Sequence, residues 1–164
     1  NMLSVNLEES KLKDLLPKDL VFAAVNSPSL CVVSGETKAI KDFKDKLDKK
    51  DISCTLLHTS HAFHSPMMEP AREELAAAIE ATTFSEPTCA VYQNVPAKAV
   101  TDSEEIKKNL IAQLTAPVKW TQCVQSMIAD GGTEFIEVGP GKVLQGLMRK
   151  IDRSVTASGA NLEA

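Results

Sequence analysis

All three histidines of this 164-residue chain, His58, His61 and His64, fall within HTSHAFHSPMMEP, residues 58–70. Imidazole titrates near neutrality, so such a cluster can bind a metal, move a proton or complete a turn. A catalytic zinc needs three convergent ligands, and intervals of three along an extended or turning segment do not bring three rings to one point. No HExxH motif or cysteine pair accompanies them, so no metal is expected. Composition alone favours turn chemistry. Position argues for more at His64, because SCTLLH before it reads as a strand and Pro66 after it can open a helix. Loops at such junctions of a rigid α/β frame carry active-site groups. A histidine there can take a proton from a hydroxyl and return it, which is general-base work.

The chain's other reactive types fare less well. Cys31, Cys54, Cys89 and Cys123 are far apart, and the first three sit in apolar, strand-like runs where a thiol behaves as a small hydrophobe. Cys123 lies in a helical pattern with no histidine nearby in sequence, so nothing marks it as a nucleophile. Ser65 adjoins His64, but adjacent loop residues generally point apart. GPGK at 139–142 lacks P-loop spacing and reads as a tight turn into a helix.

The elements that position these groups follow from periodicity. MLSVNL (2–7) alternates as a strand, and EESKLKDLL carries helical spacing of Leu12, Leu15 and Leu16 up to Pro17. VFAAVN and LCVVSG bracket SPS as a hairpin. Ala39, Ile40, Phe43 and Leu47 share a helix face, and SCTLLH (53–58) closes the unit as a strand. Strand, helix, strand, strand, helix, strand is the order of a ferredoxin-like split βαβ unit, expected over residues 1–58. Beyond it come a helix over 67–82 with Leu75, Ala78 and Ile79 at core spacing, a strand at 89–94 and a helix near 103–114. A further helix over 119–129 has Trp120, Val124 and Ile128 inward and ends at Gly131-Gly132. A strand at 133–139 and a helix at 143–151 with Leu144, Leu147 and Met148 inward complete the series. Residues 153–164 read as a linker or tail. This remainder has too few strands for a sheet of its own.

Composition excludes other classes. The chain is long enough for one domain or two small subdomains with a real core. Its net charge of −4 is spread without a basic stripe, which removes nucleic acid as a partner. No apolar run approaches the roughly 20 residues of a membrane helix, and NMLSVNLEES lacks the regions of a signal peptide. A cytoplasmic location and no membrane partner are expected.

HAFHSPMMEP, with AAVNSPSLCVVSG before it and LTAPVKWTQCV and FIEVGPGKVLQGLMRK after it, resembles the malonyl-CoA:acyl carrier protein transacylases, in particular the acyltransferase domains of modular polyketide synthases. The likeness runs in order from about residue 2 to residue 151. It implies an α/β (α+β) fold, with the ferredoxin-like unit inserted in an α/β-hydrolase-like large subdomain of which residues 59–152 form an incomplete, C-terminal part. It implies that His64 is the general base for a serine that accepts malonyl from malonyl-CoA and passes it to the phosphopantetheine thiol of an acyl carrier protein. No bound cofactor is implied. His61 and Phe63 occupy positions that vary with the extender unit, and HAFH resembles the malonyl-selecting form. A bulky Phe63 narrows the pocket, and one methyl group is worth roughly 1–3 kcal/mol of discrimination. Asn26 in the VNSP turn hydrogen-bonds in the substrate pocket by resemblance, or forms an Asx turn. The backbone carbonyl of Lys119 matches the group that orients the base. Asn94 could line the pocket or cap the chain's exit from its strand.

The family's GHSxG elbow is missing from these 164 residues, as are the GQG segment and the arginine that pairs with the malonyl carboxylate. The expectation is therefore the C-terminal half of an acyltransferase domain, inactive alone, with the N-terminal half, the carrier protein and neighbouring synthase domains as partners. A carrier-binding module without chemistry, using basic residues such as Lys142, Arg149 and Lys150, and an isolated structural fragment are the other readings.

Overall fold

The computed structural model describes residues 1–160. The first half is built from β1 (Met2–Val5), α1 (Glu9–Leu15), β2 (Leu20–Ser27), β3 (Leu30–Gly35), α2 (Thr37–Asp48) and β4 (Cys54–Leu56). The strands form one sheet in the order β2-β3-β1-β4, each neighbour antiparallel. This is the split βαβ arrangement that the element order predicts. Period-two alternation divides β1 between two faces. Leu3 and Val5 point to the helices and pack with Leu12, Ile40, Phe43 and Leu47, all essentially inaccessible to solvent. Met2 points to the opposite face with Ala23, Ala24 and Val32, where Leu57, Phe63 and Val118 cover it.

β2 breaks its alternation. Its pairing with β3 shifts between Phe22 and Ala24 and again between Val25 and Ser27, leaving Ala23 and Asn26 as extra residues. These are β-bulges, which bend a strand and re-aim the side chain at the extra position. β2 is also an edge strand, and the second half docks there. Val25 N–H donates to Val118 O at 2.9 Å, and Val118 N–H to Ala23 O at 2.9 Å.

The second half opens with a 3₁₀ turn at Pro66–Met68 and continues through α3 (Glu69–Glu80), β5 (Val91–Gln93), β6 (Lys98–Val100), α4 (Ser103–Gln113), α5 (Trp120–Ala129), β7 (Glu134–Glu137), α6 (Val143–Ile151) and β8 (Thr156–Gly159). β5 and β6 form an antiparallel hairpin, while β7 and β8 pair in parallel across α6. Gly131, at φ +99°, ends α5 with its N–H on Ile128 O, and Gly132 N–H reaches Met127 O. That pair of bonds is a Schellman closure, which requires the left-handed conformation glycine adopts freely. Among the described residues no helix is long and apolar enough to cross a membrane.

Four expectations need correction. The segment from 153 is not simply a linker or tail: Thr156–Gly159 forms β8, because a parallel partner satisfies its backbone groups along β7; residues 161–164 lie outside the described residues. Leu75 and Ala78 of α3 are exposed despite their spacing, since α3 packs chiefly on α4 and the turn before it. Leu144 of α6 is likewise exposed, and Met148 alone of that helix is buried. Cys89 is exposed because β5 begins only at Val91.

Candidate active site

The loop carrying His64 is fixed on both sides of it. Phe63 lies against the Met2, Ala23, Ala24 and Val32 face, and Ala62 is buried beside it. Ser65, also buried, donates its hydroxyl to Ala62 O at 2.6 Å and accepts from Met67 N–H at 3.3 Å, capping the Pro66 turn. Between these anchors His64 takes φ +57°, the left-handed conformation that few non-glycine residues adopt. Such backbone persists where its surroundings over-determine it, and it is concentrated at functional sites.

Held this way, the His64 ring places Nδ1 2.9 Å from the carbonyl oxygen of Gln113, the last residue of α4. A carbonyl only accepts, so Nδ1 carries the proton and Nε2 presents a lone pair. The acceptor is one of the terminal carbonyls that a helix leaves without an internal partner, at the negative end of its dipole. That tautomer suits a group that collects a proton at Nε2.

The partner of the His64 ring is Gln113 O and not the carbonyl of Lys119. Lys119 is the N-cap of α5, and its carbonyl accepts from Cys123 N–H at 2.9 Å while its own N–H donates to Asn94 O at 3.2 Å. An N-cap carbonyl already serves the first turn of its helix, whereas a helix's final carbonyls are spare. That asymmetry was the available signal for Gln113: it sits at the end of a helical pattern, just before TAPV.

The remaining candidates divide. Asn26 lies in β2 at the second bulge rather than in the turn, and is half-buried. His61 is exposed; its Nδ1 lies 2.8 Å from Ser60 Oγ, and its ring tilts 59° to Phe63 with centroids 5.9 Å apart. Phe63 thus forms a fixed wall while His61 faces solvent. His58 is exposed, and no group of three potential metal ligands occurs among the described residues. Cys123 is sealed inside, where burial pushes its thiol above the ordinary range.

The first turn of α6, which follows the GPGK loop, is capped by the protein itself. Glu137 accepts from Leu144 N–H at 3.0 Å, Gln145 N–H at 3.3 Å and Gln145 Nε2 at 3.0 Å, so the amides a phosphate would use are taken. Lys142 precedes α6 while Arg149 and Lys150 lie in its last turn, about 10 Å along the axis, so they form no single cluster. A cleft of about 210 Å³ between α5, α6 and the β7–β8 pair, lined by Trp120, Phe135 and Met148, includes none of the candidate residues.

Comparison with known proteins accords with this geometry. A malonyl CoA-acyl carrier protein transacylase of Bacillus subtilis is 36% identical over 132 residues, which take in 80% of this chain and 42% of that protein. The enzyme of the same name from Salmonella typhimurium is 38% identical over 137 residues, 83% of this chain and 44% of that one. The chain therefore spans less than half the length of these curated relatives. Among solved structures, a malonyl CoA-acyl carrier protein transacylase from Clostridium perfringens superposes with a TM-score of 0.92 at 28% identity, over 97% of this chain and 52% of that one. The acyltransferase domain from the second module of the salinomycin polyketide synthase gives 0.87 at 26% identity, over 96% of this chain and 38% of that one. A malonyl-transacylase solved with its type II polyketide synthase acyl carrier protein gives 0.89 at 29% identity, over 98% and 54%. Residues 1–161 match the acyl transferase domain family. A left-handed histidine held by a helix-terminal carbonyl, in a chain that superposes over almost its whole length on about half of solved transacylases, thus belongs to a member of the acyl transferase domain family.

Proposed function

We propose that this chain supplies the general base and one wall of the acyl pocket of an acyltransferase that moves malonyl from malonyl-CoA to the phosphopantetheine thiol of an acyl carrier protein. The observation that carries it is the Nδ1 contact of His64 with Gln113 O, which leaves Nε2 free to accept a proton. In the first half-reaction Nε2 takes the proton of a serine hydroxyl as its oxygen attacks the thioester carbonyl. The carbon–sulfur bond then breaks, and the imidazolium returns the proton to the departing CoA sulfur. In the second, Nε2 takes the proton of the carrier thiol, the sulfur attacks the acyl-serine ester, its carbon–oxygen bond breaks, and the proton goes to the departing serine oxygen.

The serine comes from polypeptide other than these 164 residues, in which no GxSxG occurs. Ser65 is no substitute, since its hydroxyl is buried and donates to Ala62 O. The place for a complementary half is the outer side of β7 and α6: Ile136, Val138 and Val143 are 59%, 73% and 71% exposed, although parallel sheets ordinarily have both faces covered. Phe63, packed on the small sheet, limits room beside the acyl α-carbon and biases selection toward malonyl, while Asn26 offers its amide to the acyl group. The half-domain works in the cytoplasm, beside its carrier protein and neighbouring synthase domains.

The test is intact mass after mixing with malonyl-CoA. Malonylation is expected on a GHSxG-bearing half only when this chain is added, and to be lost with His64→Asn. A malonyl adduct on this chain alone would overturn the reading.

A further inference from the structure

Building on the reading of His64 as the base, we infer that Gln93 and Asn94 are positioning residues that set its tautomer through α4. Gln93 ends β5 and Asn94 follows it, and both side chains reach that helix. Gln93 Nε2 donates to Ile106 O at 3.1 Å, Asn109 Nδ2 donates to Gln93 Oε1 at 2.8 Å, and Asn94 Nδ2 donates to Gln113 Oε1 at 3.4 Å. Residues 106, 109 and 113 recur at helical spacing along one face. Gln93 is buried, and both ends of its amide are engaged on α4.

These bonds matter because no side chain of α4 is fully buried. The helix packs on α3, and the amide contacts are the directional ties of its other side to the residues at the end of β5. The main chain of Asn94 is itself tied to α5 through Lys119 N–H. Amide groups therefore hold the last turn of α4 against β5, and that turn carries the carbonyl facing His64.

A free imidazole favours its proton on Nε2. A fixed acceptor 2.9 Å from Nδ1 reverses the preference. A displacement of about 0.7 Å would take that contact beyond hydrogen-bond range, Nε2 would regain the proton, and the lone pair needed for catalysis would be gone. The residues proposed to line the acyl pocket, Phe63 and Asn26, would be untouched, so the loss falls on kcat rather than KM.

Nitrogen-15 NMR of the full chain, labelled at histidine, reads the tautomer directly. Wild type is expected to carry the His64 proton on Nδ1, and Asn94→Leu and Gln113→Met, both at half-buried positions, to move it to Nε2; Gln113→Met keeps the carbonyl and removes only its side-chain anchor. Gln93→Met is the stronger perturbation if it folds. Folded variants that retain the proton on Nδ1, including any with only a lowered melting temperature, would overturn the inference. Unchanged malonyl transfer by an assembled His64→Asn domain would instead overturn the base assignment, leaving the tautomer result intact.

Discussion

The hydroxyl of Thr121, in the first turn of α5, donates to the carbonyl of Val25 in β2 at 3.0 Å, joining residues 96 positions apart in a buried setting. With the bonds that Val118 makes to Ala23 and Val25, it closes the outer edge of the small sheet onto the second half of the chain. Asn26 follows directly, so the same contact fixes the bulge that aims it. Thr121→Val keeps the shape and leaves a buried carbonyl unpaired, a loss of about 1–3 kcal/mol. Urea denaturation should give a lower midpoint with unchanged slope, and Thr121→Ser should recover most of it.

His64→Asn separates chemistry from backbone strain, because asparagine tolerates the left-handed conformation. In an assembled domain the rate of malonyl transfer should fall by about 10²–10⁴, the usual contribution of a general base, with little change in stability. A fall smaller than tenfold would contradict the assigned role.

Ser65→Ala should cost about 0.5–2 kcal/mol, as for loss of a helix cap, because Met67 N–H and Ala62 O lose their shared partner. Thermal unfolding measures it. Mass spectrometry after malonyl-CoA treatment should find no acyl group at position 65 in the parent chain.

Glu137 makes the start of α6 sensitive to acid. The Leu144 N–H, with the side chain and N–H of Gln145, holds its carboxyl below the usual range. The folded state therefore favours the charged form, and the resulting stability is complete above the ordinary glutamate value of about 4.3 and disappears as pH falls through the lower folded one. Exchange of the Leu144 and Gln145 amides, corrected for intrinsic rates, should accelerate across that acidic window in the parent chain, and Glu137→Gln should show no such step.

Thiol chemistry should follow burial. Burial, and next the negative charge of Glu9, push Cys31 up to about 11; burial also raises Cys123, while Cys89 is exposed. Because the thiolate is the reactive form, alkylation of the native chain at neutral pH should label Cys89 first and reach Cys31 and Cys123 only on unfolding. Peptide mapping decides the order.

The sequence carried the βαββαβ unit because its signals are local: alternation in MLSVNL, a shared face for Ile40, Phe43 and Leu47, and a turn at SPS each arise within a few residues. The same locality placed His64 in a loop before a helix, and bounded α6 at Val143–Ile151. It failed for α3, whose Leu75 has helical core spacing but lies exposed, since periodicity records that a face is apolar without naming what covers it.

By itself, then, the order of residues determined most of the helices and strands, though not β6 or β8, and set His64 in a loop before a helix. Tertiary structure decided the rest: that the ring's partner is the carbonyl of Gln113 and not of Lys119, that Asn26 sits on a bulge, and that Thr156–Gly159 finds β7. Every residue carries a carbonyl and each helix end leaves several spare, so the side-chain pattern narrows the choice without naming the one that serves. Only the tertiary placing of the last turn of α4, 49 positions from the histidine, brings its spare terminal carbonyl within 2.9 Å of Nδ1.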